Sequence, residues 1–77
     1  MKIIIYTTPV CPFCKRVKDF LKDHKFDYTE VDVSSDSDGA DEMISKSDQM
    51  AVPVVDINGE IIVGFDEPRF RKLLNIE

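Results

Sequence analysis

The stretch Val52-Pro53-Val54-Val55-Asp56-Ile57-Asn58-Gly59-Glu60-Ile61-Ile62-Val63 restricts the fold more than any other part of the chain. Asn-Gly between two apolar runs takes positive φ at both positions, the type I′ turn whose twist suits two paired strands. A tight antiparallel hairpin is therefore expected over 52–63, and the rest of the chain has to supply strands beside it. Lys2 to Thr7 is rich in isoleucine and ends at Thr8-Pro9, as a buried central strand bounded by a turn does. After it, Cys14, Val17, Phe20 and Leu21 recur at helical spacing, with Lys15, Arg16, Lys18, Asp19 and Lys22 on the other side. This predicts a helix from about Pro12 to Lys25.

Phe26 to Val33 alternates imperfectly through Tyr28, Thr29, Val31 and Val33, which suits an edge strand. Ser34 to Gly39 is a polar loop in which Asp36 or Asp38 caps a short helix carrying Ala40, Met43, Ile44 and Ser47 on one face. Beyond the hairpin, Gly64 ends the second strand, Asp66 or Glu67 caps a last helix with Pro68 in its first turn, and Phe70, Leu73 and Leu74 form its apolar face. The order strand, helix, strand, helix, hairpin, helix closes a parallel βαβ unit by a right-handed crossover and adds an antiparallel pair. The expected fold is α/β and thioredoxin-like, a four-stranded mixed sheet (βαβαββα) with helices on both faces.

Size and charge narrow the function. A chain of 77 residues buries only roughly 60% of its unfolded surface, which leaves room for one domain, residues 1–77. With 43% hydrophobic and 32% charged residues it has the means to form a soluble core. A formal charge of −5 argues against nonspecific attraction to nucleic acid or to anionic lipid. The longest apolar run, Ile3-Ile4-Ile5-Tyr6, falls far short of the ~20 residues that span a bilayer, and no signal-peptide core follows Lys2. A cytoplasmic monomer is expected.

The two cysteines, Cys11 and Cys14, sit three positions apart. Bridged, they close a loop so short that the chain-entropy gain is only about 2 kcal/mol, so a structural staple is a poor reason for them. In a reducing compartment such a pair is catalytic or metal-binding. Zinc wants four ligands, and the chain adds only His24, near the far end of the helix and expected as an exposed residue at its C-terminus. Pro12 suits the first helical position, which places Cys11 at the N-cap and Cys14 inside the first turn. Cys11 then faces unpaired N–H groups and the positive end of the helix, an arrangement that favours thiolate and makes it the nucleophile. Cys14, three residues before Val17 on the core-facing stripe, is expected to be shielded and to act as the resolving thiol.

Residues 1–26 carry six basic and two acidic side chains, so the segment around the thiols is net positive although the chain is acidic. Lys15, four residues after Cys11, can add a cation near the thiolate. Phe13, between the cysteines, is expected to flank an incoming substrate.

With Cys11-Pro12-Phe13-Cys14 after an isoleucine-rich strand, Val52-Pro53 before a strand and Gly64-Phe65-Asp66 before the last helix, the chain resembles the glutaredoxin-like proteins from about Ile3 to Leu74. The resemblance implies a small dithiol–disulfide oxidoreductase, an electron carrier that reduces protein or glutathione mixed disulfides without a tightly bound cofactor. It also implies that Pro53 follows a cis peptide bond and that Val52 pairs its backbone with the substrate. Asp66 and Glu67 match an acidic pair at the last helix that holds the γ-glutamyl end of glutathione. Many glutathione-using members, however, have a basic residue where Thr8 stands, a tyrosine at Phe13, a threonine at Ala51 and two glycines at Val63-Gly64. Gly64-Phe65 is also similar to the glutaredoxin-like redoxins that serve ribonucleotide reductase and are recharged by thioredoxin reductase. The implied partners are a disulfide-containing protein and, as electron source, either glutathione or thioredoxin reductase. Two other readings stay open: an iron–sulfur cluster held between two chains, which colour and visible absorbance would reveal, and a partner-binding domain without catalysis, with an ordinary Cys11.

Overall fold

The computed structural model describes residues 2–76. Its elements are β1 (Ile3–Thr7), α1 (Pro12–Asp23), β2 (Thr29–Asp32), α2 (Ser37–Ser47), β3 (Val54–Ile57), β4 (Glu60–Val63) and α3 (Glu67–Leu73). The sheet runs β2-β1-β3-β4, with β1 parallel to β2 and antiparallel to β3, and β3 antiparallel to β4. The hairpin is as expected: Asn58 has φ 52° and Gly59 φ 94°, and Ile57 pairs with Glu60 across the turn. The Asn58 N–H donates to Lys2 O at 2.9 Å and its side-chain oxygen accepts from the Lys2 N–H at 2.8 Å, tying the turn to the start of β1.

Strand alternation divides the core between two faces. Ile3 and Ile5 of β1, Val55 and Ile57 of β3 and Ile62 of β4 pack with Val17 and Leu21 of α1 and with Phe70 and Leu74 around α3. Tyr6 and Val54 face the other way, onto Met43 of α2. The β1 and β3 strands are covered on both sides, which is why they read as near-continuous apolar runs, while β2 and β4 form the edges.

Two boundaries differ from the sequence reading. The first helix stops at Asp23, and the second strand starts at Thr29, three residues later than Phe26. Lys25 adopts a left-handed conformation (φ 62°), and the Phe26 N–H donates back to Leu21 O at 2.9 Å, a helix-ending motif in which glycine is the usual residue. Phe26 and Tyr28 consequently pack against the core instead of joining the ladder. His24, expected to be exposed, is half-buried at the helix end with its ring 4.6 Å from that of Phe20. Of the two aspartates proposed for the second helix, Asp36 is the cap, its carboxylate accepting the Gly39 N–H at 3.0 Å.

A polar cluster clamps α2 onto the sheet. The Tyr6 hydroxyl donates to Glu42 Oε1 at 2.7 Å, and Lys46 Nζ donates to the Tyr6 hydroxyl and to Asp56 Oδ2, both at 2.8 Å. Burial works to raise the Asp56 carboxyl, but the hydrogen bonds from Lys46 and from the Gly59 N–H overcome it, so the group titrates below its ordinary value. A carboxyl depressed in the folded state stabilises the fold fully above its unfolded value of about 3.9, and loses that contribution as pH falls through the folded value. Asp56→Asn is expected to cost about 1–3 kcal/mol at pH 6 in urea unfolding, and its gap from the parent should narrow below pH of about 4. A gap independent of pH would mean that the charge on Asp56 contributes nothing.

Candidate active site

Pro12 opens α1 without leaving an N–H unpaired, and Cys11 is its N-cap with an extended backbone (φ −108°, ψ 109°). The Cys11 Sγ accepts the Cys14 N–H at 3.1 Å, the contact that a side-chain oxygen makes in an ordinary cap. Cys11 is half-buried and Cys14, in line with Val17 and Leu21, is 1% exposed; both are free thiols. Burial pushes the Cys14 thiol up, and so does Cys11 beside it, while the Thr7 hydroxyl and the Thr8 backbone pull it down. The pair is therefore unequal in access.

Phe13 is 54% exposed, with the Arg16 guanidinium 5.4 Å from its ring centroid. Lys15 is exposed, its N–H donates to Cys11 O at 3.3 Å, and no hydrogen bond joins its ammonium to the Cys11 sulfur. It lies on the expected helix turn without touching the thiol through its charge.

The register of the sheet brings the remaining residues to the same end. Tyr6 pairs with Val54, so the antiparallel course of β1 and β3 sets Pro53 beside Thr7 and leaves Val52 next to the segment that leads into Cys11. The Val52-Pro53 bond is cis and Pro53 is buried. Its carbonyl accepts the Gly64 N–H at 2.8 Å, and Gly64, with φ 82°, turns the chain from β4 into α3. Asp66 and Glu67 thus begin α3 near the proline. Their carboxylates already have partners within the chain: Asp66 accepts the Arg69 N–H at 3.4 Å, and Glu67 pairs with Arg71 Nε at 2.8 Å.

Three residues escaped the sequence reading. Val10 and Met50 are large apolar side chains 88% and 85% exposed, one just before Cys11 and the other three residues before Pro53. Thr7 is 1% exposed and meets the Cys14 thiol. Exposure of a lone valine or methionine carries no periodic signal, and Thr7 read only as the end of a strand. A separate cleft of about 300 Å3, lined by Lys2, Ile3, Asp27, Tyr28 and Thr29, lies at the opposite end of the sheet. Among the described residues, no three His, Cys, Asp or Glu side chains gather where they could hold a metal ion, and no helix is long and apolar enough to cross a membrane.

The family model described as glutaredoxin matches residues 3–62. This chain belongs to the glutaredoxin family. A glutaredoxin-like 8.6 kDa protein encoded in a rubredoxin operon of Clostridium pasteurianum, itself uncharacterised, is 46% identical over 72 residues, which cover 94% of this chain and 96% of that protein. Among solved structures, the thioredoxin-like protein BC3987, as its T8A mutant, superposes with a TM-score of 0.92 at 39% identity, over 99% of this chain and 97% of the other. A buckwheat glutaredoxin solved as its glutathione complex superposes with a TM-score of 0.77 at 25% identity, over 96% of this chain and 74% of the other. The fold of this glutaredoxin-family chain is accordingly thioredoxin-like, and the match takes in both cysteines, Pro53 and the hairpin.

Proposed function

We propose that this glutaredoxin-family chain is a dithiol–disulfide oxidoreductase with Cys11 as nucleophile and Cys14 as resolving thiol. The observation that supports it most is the asymmetry of the pair: Cys11 Sγ lies at the helix cap with the Cys14 N–H pointed at it, while Cys14 is sealed beneath. Cys11 thiolate attacks a substrate disulfide, one substrate sulfur leaves as thiolate and takes up a proton, and a mixed disulfide remains. The Cys14 sulfur then attacks Cys11 Sγ and displaces the second substrate thiol, leaving Cys11–Cys14 oxidised. Two electrons pass from the pair to the substrate, and no resident cofactor is needed.

Phe13, Lys15 and the Val52-Pro53 segment flank the incoming disulfide, with the Val52 backbone open to an added strand. Disulfide-bearing proteins of a reducing, cytoplasmic compartment are the substrates. Glutathione and thioredoxin reductase both fit as the source of electrons. The buckwheat relative binds glutathione, whereas here the Glu67 carboxylate is engaged by Arg71 and Thr8 replaces a cation, both of which weaken a glutathione site. The deciding experiment is reduction of insulin by the chain with NADPH and either glutathione plus its reductase or thioredoxin reductase. Turnover is expected with at least one couple, and faster with thioredoxin reductase; turnover with neither would reject the oxidoreductase reading.

A further inference from the structure

Among the described residues, four large apolar side chains are exposed, Val10, Phe13, Met50 and Val63, and none of them joins either core cluster. A lone exposed apolar residue is ordinary on a protein surface, so their placement is what matters. All four lie at the end of the sheet that carries the thiols. Val10 directly precedes Cys11, and Phe13 stands in the first turn of α1. Val63 pairs with Val54 and precedes Gly64, whose N–H donates to Pro53 O at 2.8 Å. Met50 stands three residues before Pro53. The register that pairs Ile5 with Val55 and Tyr6 with Val54, continued beyond the ladder, reaches Val10 and Met50 together.

The resulting band crosses the ends of β1, β3 and β4, two strand spacings or about 10 Å. That is the reach of about three residues of extended chain. Covering Val10 and Met50 removes from water apolar surface that folding left exposed, which favours an occupant with apolar side chains of its own. A second copy of this chain is a poor occupant. A twofold contact through this end would bring Lys15 and Arg16 of each copy, both exposed on α1, up to the same residues of the other. Glutathione is a poor match as well, being a small anion that offers no apolar side chain.

We propose that this band docks an extended segment of a partner protein with apolar side chains on both sides of its disulfide cysteine, and that Val10 and Met50 set the preference for it. The substrate class of the proposed reaction is thereby narrowed from disulfides in general to protein disulfides with apolar flanks. The inference rests on the oxidoreductase reading with Cys11 as nucleophile, and the experiment separates the two.

Two peptides of equal length each carry one cysteine joined by a disulfide to 2-nitro-5-thiobenzoate, with leucine or with serine at the flanking positions. The glutathione derivative of the same reagent is the third probe. Each is mixed with the reduced protein in a stopped-flow instrument, and its rate is divided by that of the same probe with dithiothreitol. Cys11 Sγ bonds to the probe's cysteine sulfur, the probe's disulfide breaks, and the electron pair leaves on the coloured thiolate. The leucine probe should react about tenfold faster than either other, the effect of burying part of two large apolar side chains, and its lead should persist at high salt. Val10→Ser with Met50→Ser should bring the leucine-to-serine ratio to within about twofold of unity, whereas Met50→Leu should keep it. The proposal is overturned if the three probes react alike, if the glutathione probe is fastest, or if the serine variants slow the leucine and serine probes equally. It is overturned too if the parent sediments as a dimer that Met50→Ser dissociates, since the band would then join copies of this chain. Release of thiolate at the parent's rate by Cys11→Ser would instead reject Cys11 as nucleophile.

Discussion

On the proposed mechanism, Cys11→Ser is expected to reduce disulfide turnover to the uncatalysed background, a loss of more than about a thousandfold, because a serine hydroxyl is neither ionised at neutral pH nor able to attack sulfur as a thiolate does. The helix cap survives the change, since serine is a preferred N-cap and can accept the Cys14 N–H that Cys11 Sγ now accepts at 3.1 Å. The fold is therefore intact, and the lost activity reports chemistry. Cys14→Ser behaves in the opposite way. The first attack is expected to proceed and the product to stay attached, so mass spectrometry of the variant after exposure to a protein disulfide should show a covalent, dithiothreitol-sensitive adduct. Turnover retained by Cys11→Ser, with an adduct that forms on Cys14, would reverse the two roles.

Phe70→Ala should cost about 3–5 kcal/mol in chemical or thermal unfolding. A chain of this length has only about 4–12 kcal/mol to lose, so the substitution removes from a quarter of that stability to all of it, and at the lower end a large fraction of the molecules would be unfolded at 37 °C. Phe70 is fully buried, with ring centroids 5.6 Å from Phe65 and 5.9 Å from Phe20, and it is the residue that anchors the short α3 to the sheet. Phe13→Ala is the control: the same truncation at a 54% exposed ring should change stability by no more than about 0.5 kcal/mol. A cost under about 1 kcal/mol at Phe70 would mean that α3 packs less tightly than described.

The parts of this molecule that could be read from the chain are those whose cause is local. Asn58-Gly59 demands positive φ, Pro12 fits a first helical turn, and the spacing of Cys14, Val17 and Leu21 follows the helix; each is visible within a few residues. The misplaced start of the second strand has an equally local cause with a weaker signal, since a lysine, not a glycine, takes the left-handed position at 25. The clamp of Tyr6, Glu42, Lys46 and Asp56 joins residues up to 50 positions apart, and only the Glu42/Lys46 spacing hinted at it. Thr7 belongs with these: its meeting with Cys14 depends on how α1 settles over the end of β1, which neither element specifies alone.

The two edge strands have a bearing on how copies of this protein meet one another. An open edge invites a further strand at a spacing of about 4.8 Å. Here the β2 edge carries Glu30 and Asp32 and the β4 edge carries Glu60, all on a chain of net charge −5. Extension of the sheet by a second copy would bring carboxylate up against carboxylate at either side. Self-templating is discouraged at the flanks, while the end that holds Cys11, with α1 bringing Lys15 and Arg16 beside it, stays open to a strand of different composition.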